Sequence, residues 1–227
     1  MASRGEASFV RMPAFGAALY DALMRGDNLD RHYAEIAADL VERGARGRLL
    51  DVGMGPGRVL LGLHRLAPAL ELHGLDISAA MVERCRRNLG DVAAQLRVGT
   101  IRETDYPDGH FDVVTSAGSF YLWDEPAACL DEIFRILRPG GAACLYETHR
   151  DFDVAAFRSA LATVQAGLSW PRRKISAHFL RKQLALTYSV EEVRAIVRGT
   201  RFSSAAEIEP IVLAGLPVAL RIALRRS

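Results

Sequence analysis

The stretch Leu49 to Gly57, LLDVGMGPG, constrains the fold of this chain more than any other, because an apolar run there ends in an acid and then in three glycines spaced one residue apart. It reads as a strand running into a ligand-binding loop. Gly53, Gly55 and Gly57 let the backbone turn sharply and approach a ligand where a Cβ would collide, and a helix is expected from Arg58 to Leu66 immediately afterwards. A dinucleotide-binding loop also follows a first strand, but its fingerprint GxGxxG places the third glycine one residue later and expects its acid roughly 20 residues on. Here the pattern is GxGxG, and Asp51 precedes the glycines. An acid at a strand end accepts a hydrogen bond from a cationic amine and repels a pyrophosphate, so the spacing points to a nucleoside carrying an ammonium group.

A second short strand, ELHGLDI from Glu71 to Ile77, ends in Asp76, and a helix is expected from Ser78 to Asn88. A carboxylate at the carboxyl end of that strand can take both hydroxyls of a ribose, while Ile77 and Met81 offer an apolar surface to one face of adenine. Ser78 is better placed than Asp76 to cap the helix, which leaves Asp76 for the ligand.

With these motifs the chain resembles the class I S-adenosylmethionine-dependent methyltransferases, in particular the large group sharing the type 11 methyltransferase domain. The resemblance runs from about Leu49 to Glu147. It also takes in GTIRETDYPDGHFDVV at Gly99 to Val114, LRPGG at Leu137 to Gly141, and the strand ACLYE that follows. It implies S-adenosyl-L-methionine as cofactor and S-adenosyl-L-homocysteine as product. Asp51 and the glycines would hold the methionine moiety, Asp76 the ribose, and Thr100 and Ile101 the adenine. Ser116, at the end of the fourth strand, is counted among the cofactor contacts. The family often has an aspartate where this chain has Thr100, and losing a charged acceptor for the adenine amino group is expected to weaken binding by about 1 kcal/mol.

Apolar periodicity gives alternating strands and helices after an N-terminal helical region, the pattern of an α/β doubly wound sheet. Strands are expected near 48–52, 71–75, 95–98, 111–115 and 142–147. A helix from Pro126 to Leu137 is ended by LRPGG. Ser189 and Glu192 form a capping-box pair before a short helix, and two final strands, EIEPIVLA and VALRIAL, are joined by GLP. That closing hairpin resembles the antiparallel seventh strand of class I methyltransferases, so the expectation is a seven-stranded, mostly parallel sheet with helical cap elements. With 227 residues, half of them apolar, the chain suffices for one large core. It divides into an N-terminal helical cap at 1–44, a cofactor-binding core at 45–150, a helical insertion or lid at 151–188, and a C-terminal helix and hairpin at 189–227.

No apolar stretch reaches a membrane-spanning length and no basic region precedes an apolar signal core, so a cytoplasmic protein is expected. Cys85, Cys129 and Cys144 show no ligand spacing; they are read as small buried hydrophobes, with no metal and no disulfide framework. A net charge of +2 gives no steering toward nucleic acid. The exception is PRRKISAHFLRK at 171–182, with Arg172, Arg173, Lys174, Arg181 and Lys182. It is read first as a solvated helix face and second as a binder of phosphate, carboxylate or an RNA backbone.

The implied chemistry is in-line methyl transfer from a sulfonium, which needs positioning and exclusion of water, and a general base only for a protonated acceptor. His149, expected on an exposed loop beyond the fifth strand, is the candidate base. Tyr121 and Trp123 are candidates to line the acceptor pocket, with Tyr20 from the cap; Tyr20 and Tyr33 are read first as core packing and second as cofactor contacts, whereas His64, His73 and His110 are assigned no function. The expected partner is a small molecule with an oxygen, nitrogen or sulfur acceptor. The alternatives are an RNA or protein methyltransferase that uses the basic segment, and a nucleoside-binding regulatory or scaffold subunit without catalysis.

Overall fold

The computed structural model describes residues 27–164, 184 and 186–227. One seven-stranded sheet organises them, built from β1 (Arg48–Val52), β2 (Glu71–Asp76), β3 (Ala94–Val98), β4 (Phe111–Ala117), β5 (Leu137–Thr148), β6 (Ala206–Leu213) and β7 (Leu216–Arg225). The strand order is 3-2-1-4-5-7-6. Strands β1 to β5 pair in parallel, and β7 runs antiparallel to both β5 and β6.

Six helices have resolved bounds: α1 (Asp27–Glu42), α2 (Arg58–Leu66), α3 (Ala79–Leu89), α4 (Pro126–Ile136), α5 (Val154–Val164) and α6 (Val190–Arg198). They cover the sheet because strand side chains alternate between its faces. Leu50, Val52, Leu145 and Leu220 point to one face, where they meet Leu130, Ile133 and Phe134 of α4 and Val193 and Val197 of α6. Leu49, Leu72, Tyr146 and Ala219 point to the other, where they meet Ile36 and Leu40 of α1, Leu60 and Leu63 of α2, and Val82 and Cys85 of α3. All three cysteines are buried and unbridged, and burial pushes their thiols up to about 12, 12 and 11 for Cys85, Cys129 and Cys144.

The helix starts follow local chemistry. Ser78 caps α3 by accepting the Met81 N–H, and Ser189 and Glu192 satisfy each other's backbone donors in a complete capping box at α6. Gly57, with φ 82, opens α2 without a side-chain cap.

Two boundaries differ from the sequence expectation. LRPGG ends α4 one residue early, at Ile136, and then belongs to β5, because Leu137 pairs with Phe111 and Gly140 and Gly141 exchange backbone hydrogen bonds with Arg226. The hairpin turns on Ala214 and Gly215, with φ of 49 and 78, so only the glycine of GLP lies in the turn; Leu216 and Pro217 already belong to β7. No helix among the described residues is long and apolar enough to cross a membrane. The basic segment at 171–182, Tyr20 and much of both cap regions lie outside the described residues.

Candidate functional site

In an open parallel sheet a ligand binds outside the carboxyl ends of the strands, where the strand order reverses. Here that point lies between β1 and β4. The loop after β1 leaves the strand with the Gly53 and Met54 amides donating to the Leu75 carbonyl of β2. Gly53 has φ 68, and a Cβ there would strike the Ser119 side chain; a Cβ at Gly57 would strike Cys85. A Cβ at Gly55, by contrast, would meet nothing within 4 Å among the described residues. The loop is thus packed tightly from below and open above. The uncapped amides at the head of α2 lie beside it, and Arg58 is paired there with Asp30.

Asp51 projects from β1, in register with Gly74 of β2 and Thr115 of β4. It is 1% exposed, and neither carboxylate oxygen has a partner among the described residues. Burial, with repulsion from Asp76 second, holds its carboxyl well above the usual range. Asp76 is fixed differently. Its Oδ2 accepts the Gly55 N–H at 2.9 Å and its Oδ1 the Ser78 N–H at 2.8 Å, so both oxygens are aimed by backbone and each keeps a lone pair. Burial raises its carboxyl, and those two amides offset part of the effect.

The other expected cofactor residues surround this pair. Ile77 is 51% exposed beside Asp76, and Val98, 56% exposed, follows on the neighbouring strand. Met81 is buried. Thr100 is exposed, with its hydroxyl accepting the Arg102 N–H at 3.2 Å, whereas the Ile101 side chain belongs to the core. Ser116 is fully buried and shares a 2.7 Å hydroxyl contact with Ser119, which also receives the Trp123 indole N–H at 3.1 Å.

His149 departs from its expected exposure. Its backbone N–H donates to Val218, which carries sheet pairing one residue past β5 and buries the side chain to 3% exposure. Neither ring nitrogen has a partner among the described residues; burial lowers its pKa, with Asp151 opposing, so the ring is neutral near neutral pH. The expected aromatic wall forms around a 3-10 turn at Phe120–Leu122, where Phe120 packs against Trp123 and Tyr188 at centroid distances of 5.1 and 5.6 Å. Tyr121 is half-buried on that turn, and Tyr33 packs against the core of the opposite face.

The group that sequence reasoning passed over is Glu147. It is 5% exposed at the end of β5, with Oε1 accepting the N–H groups of Ser119 and Phe120 at 2.9 Å each. The sequence drew attention to this segment through His149, and the partners of Glu147 lie 28 and 27 residues away in sequence. His73 and His110 pack edge-on against Phe111.

A sheet of this order, with a glycine loop and acids at the ends of its first two strands, defines a class I methyltransferase fold. Residues 50–145 match the family profile described as "Methyltransferase domain", and in this segment the chain is similar to the class I S-adenosylmethionine-dependent methyltransferase family. It is 33% identical over 135 residues to the demethylmenaquinone methyltransferase of Thermus thermophilus, covering 56% of this chain and 60% of that protein. It is 37% identical over 131 residues to the nocamycin O-methyltransferase of Saccharothrix syringae, covering 55% of this chain and 45% of that one. The chain therefore spans about half the length of these curated relatives. The plantazolicin methyltransferase BpumL, solved in complex with a triazolic desmethyl analogue and SAH, shares the fold at a TM-score of 0.72 and 14% identity, over 94% of this chain and 91% of that one.

S-adenosylmethionine is the cofactor of this family. The crevice fits it in three respects: the unpartnered oxygens of Asp51, the loop left open above Gly55, and the exposed Ile77 beside the two aimed oxygens of Asp76.

Proposed function

We propose that this chain transfers the methyl group of S-adenosylmethionine to an oxygen, nitrogen or sulfur atom of a small molecule. The observation that carries the reading is Asp51: a buried carboxyl with both oxygens unpartnered among the described residues, at the mouth of a glycine loop. An unmet buried carboxyl costs about 1–3 kcal/mol, more if charged, and a cationic ligand removes that cost. Small-molecule acceptors are supported by the relatives, whose names specify a quinone precursor and a natural product.

The bound cofactor supplies an electrophilic methyl carbon on a positively charged sulfur. Asp51 accepts from the ammonium group, Asp76 from the ribose hydroxyls, and Ile77 covers one face of the adenine. Tyr121 and Trp123 line the acceptor side, where aromatic walls exclude water and hold the nucleophile in line. His149, a buried neutral imidazole with both nitrogens available, takes a proton from an acceptor that carries one.

Calorimetric titration with S-adenosylmethionine and S-adenosylhomocysteine tests the reading without knowledge of the acceptor. Micromolar binding that Asp76→Ala abolishes is expected. A wild-type protein that binds neither ligand sinks the proposal.

A further inference from the structure

Glu147 has no task in the scheme above, yet it joins the two loops that form the crevice. Its Oε1 clamps the turn after β4 through Ser119 and Phe120. Ser119 in turn fills the space beside Gly53 and donates its hydroxyl to the Val52 carbonyl at 3.2 Å. Glu147 therefore holds the loop after β4 directly and reaches the loop after β1 through Ser119, and these two loops flank the reversal of strand order. Its Oε2 is buried and without a partner among the described residues. A buried oxygen left unmet by the described residues has capacity for a further partner.

Among the described residues the charge around these strand ends is one-sided. Asp51, Asp76 and Glu147 are acids, while Arg58 is paired with Asp30, Arg150 with Glu192, and Arg102 with Asp124 and Glu125. His149, two residues along the strand, is neutral, and Asp151 acts on that ring. The influences on Glu147 itself are burial, which pushes its carboxyl up to about 8, and the amides of Phe120, Ser119 and Gly118, which oppose it. Such a crevice favours the more positively charged of two otherwise similar ligands. S-adenosylmethionine carries one positive charge more than S-adenosylhomocysteine, on its sulfur.

We infer that Glu147 distinguishes methyl donor from demethylated product by charge: it gives up a proton to solvent when the sulfonium-bearing donor binds and keeps that proton when the thioether product binds. This rests on reading the crevice as an S-adenosylmethionine site. When the methyl group leaves, the sulfur becomes a neutral thioether, and a proton returns to Glu147 from solvent. The carboxylate form holds the donor and the acid form releases the product.

Titration calorimetry at about pH 7 in phosphate and in Tris, which differ in ionisation enthalpy, counts the protons released on binding each ligand. The wild type is expected to release up to about one proton more with S-adenosylmethionine than with S-adenosylhomocysteine. Glu147→Gln keeps a carbonyl for the Ser119 and Phe120 amides, and it is expected to bind both ligands and to lose the difference. At about pH 9.5, where the acid is already ionised, the wild-type difference disappears as well, a second reading that needs no variant. Equal proton release by the two ligands in the wild type at about pH 7, or a difference that persists in Glu147→Gln, overturns the inference. Failure of the wild type to bind either ligand instead overturns the assignment of the crevice.

Discussion

Two buried carboxyls, Asp51 and Glu147, set how the ligand-free protein responds to pH. Both are held above the ordinary carboxylate range, chiefly by burial, so the native state keeps protons that the unfolded chain has already lost. For Glu147 the sign follows directly: its contribution is fully present below its ordinary value of 4.5 and is lost as pH rises toward about 8. Each pH unit inside that window removes up to about 1.4 kcal/mol. The Tm of ligand-free protein is expected to fall between about pH 5 and 8, and Glu147→Gln to flatten the decline; a Tm independent of pH in the wild type would show that Glu147 ionises freely. The residues that the sequence disclosed at this scale are those whose role is written within a few positions. Asp51 and Asp76 each end an apolar run beside a turn, and the whole of their local geometry lies between Leu49 and Ser78. Glu147 acquires its role from amides on a distant loop, and His149 acquires its burial from Val218, so neither property has a local signature.

At the scale of elements, helix termini carry most of what is local. The Ser189 hydroxyl accepts the Glu192 N–H at 3.0 Å and the Glu192 carboxylate accepts the Ser189 N–H at 2.8 Å. Ser189→Ala is expected to cost about 1 kcal/mol in chemical denaturation, with methyl-donor affinity unchanged because Val193 and Val197 of α6 pack on the face of the sheet opposite α2, the helix that the glycine loop opens. That helix was visible in the sequence through the same two residues. Strand β5 was visible only in its second half. Its first residues, LRPGG, carry the proline and glycines that ordinarily mark a stop, and they join the sheet because β4 offers Phe111 and the chain after β7 offers Arg226. The hairpin turn was misplaced for a related reason. GLP looks like a turn, yet the left-handed backbone falls on Ala214 and Gly215, where the Ala214 N–H is held by Glu35 of α1 at 2.6 Å.

Across the whole molecule, two apolar layers share one sheet, and neither can be lost alone. Leu130 of α4 is fully buried on the face of the sheet opposite α1, α2 and α3. Leu130→Ala is expected to cost about 2–5 kcal/mol, with loss of near-ultraviolet and far-ultraviolet circular dichroism at one midpoint; separate midpoints would mean that the two layers melt independently. The layers were legible because alternating strand residues and helical spacing both depend on the chain itself. The cross-sheet ties were not: Arg221 of β7 pairs with Asp39 of α1 and Glu209 of β6, and Tyr146 of β5 donates to the same Asp39 at 2.5 Å. Asp39 lies 107 and 182 residues from Tyr146 and Arg221, and only the Glu209–Arg221 pair belongs to one hairpin.

Strand β7 follows every other strand of the sheet in sequence but lies between β5 and β6. A ribosome delivering the chain from its amino end completes β1, β2, β3 and β4, with the glycine loop, Asp51 and Asp76, while β5 still has an open edge. Only when β7 arrives does Val218 receive the His149 amide and seal the end of β5. The residues of the glycine-loop side of the crevice are thus synthesised before the strand that closes the edge of β5.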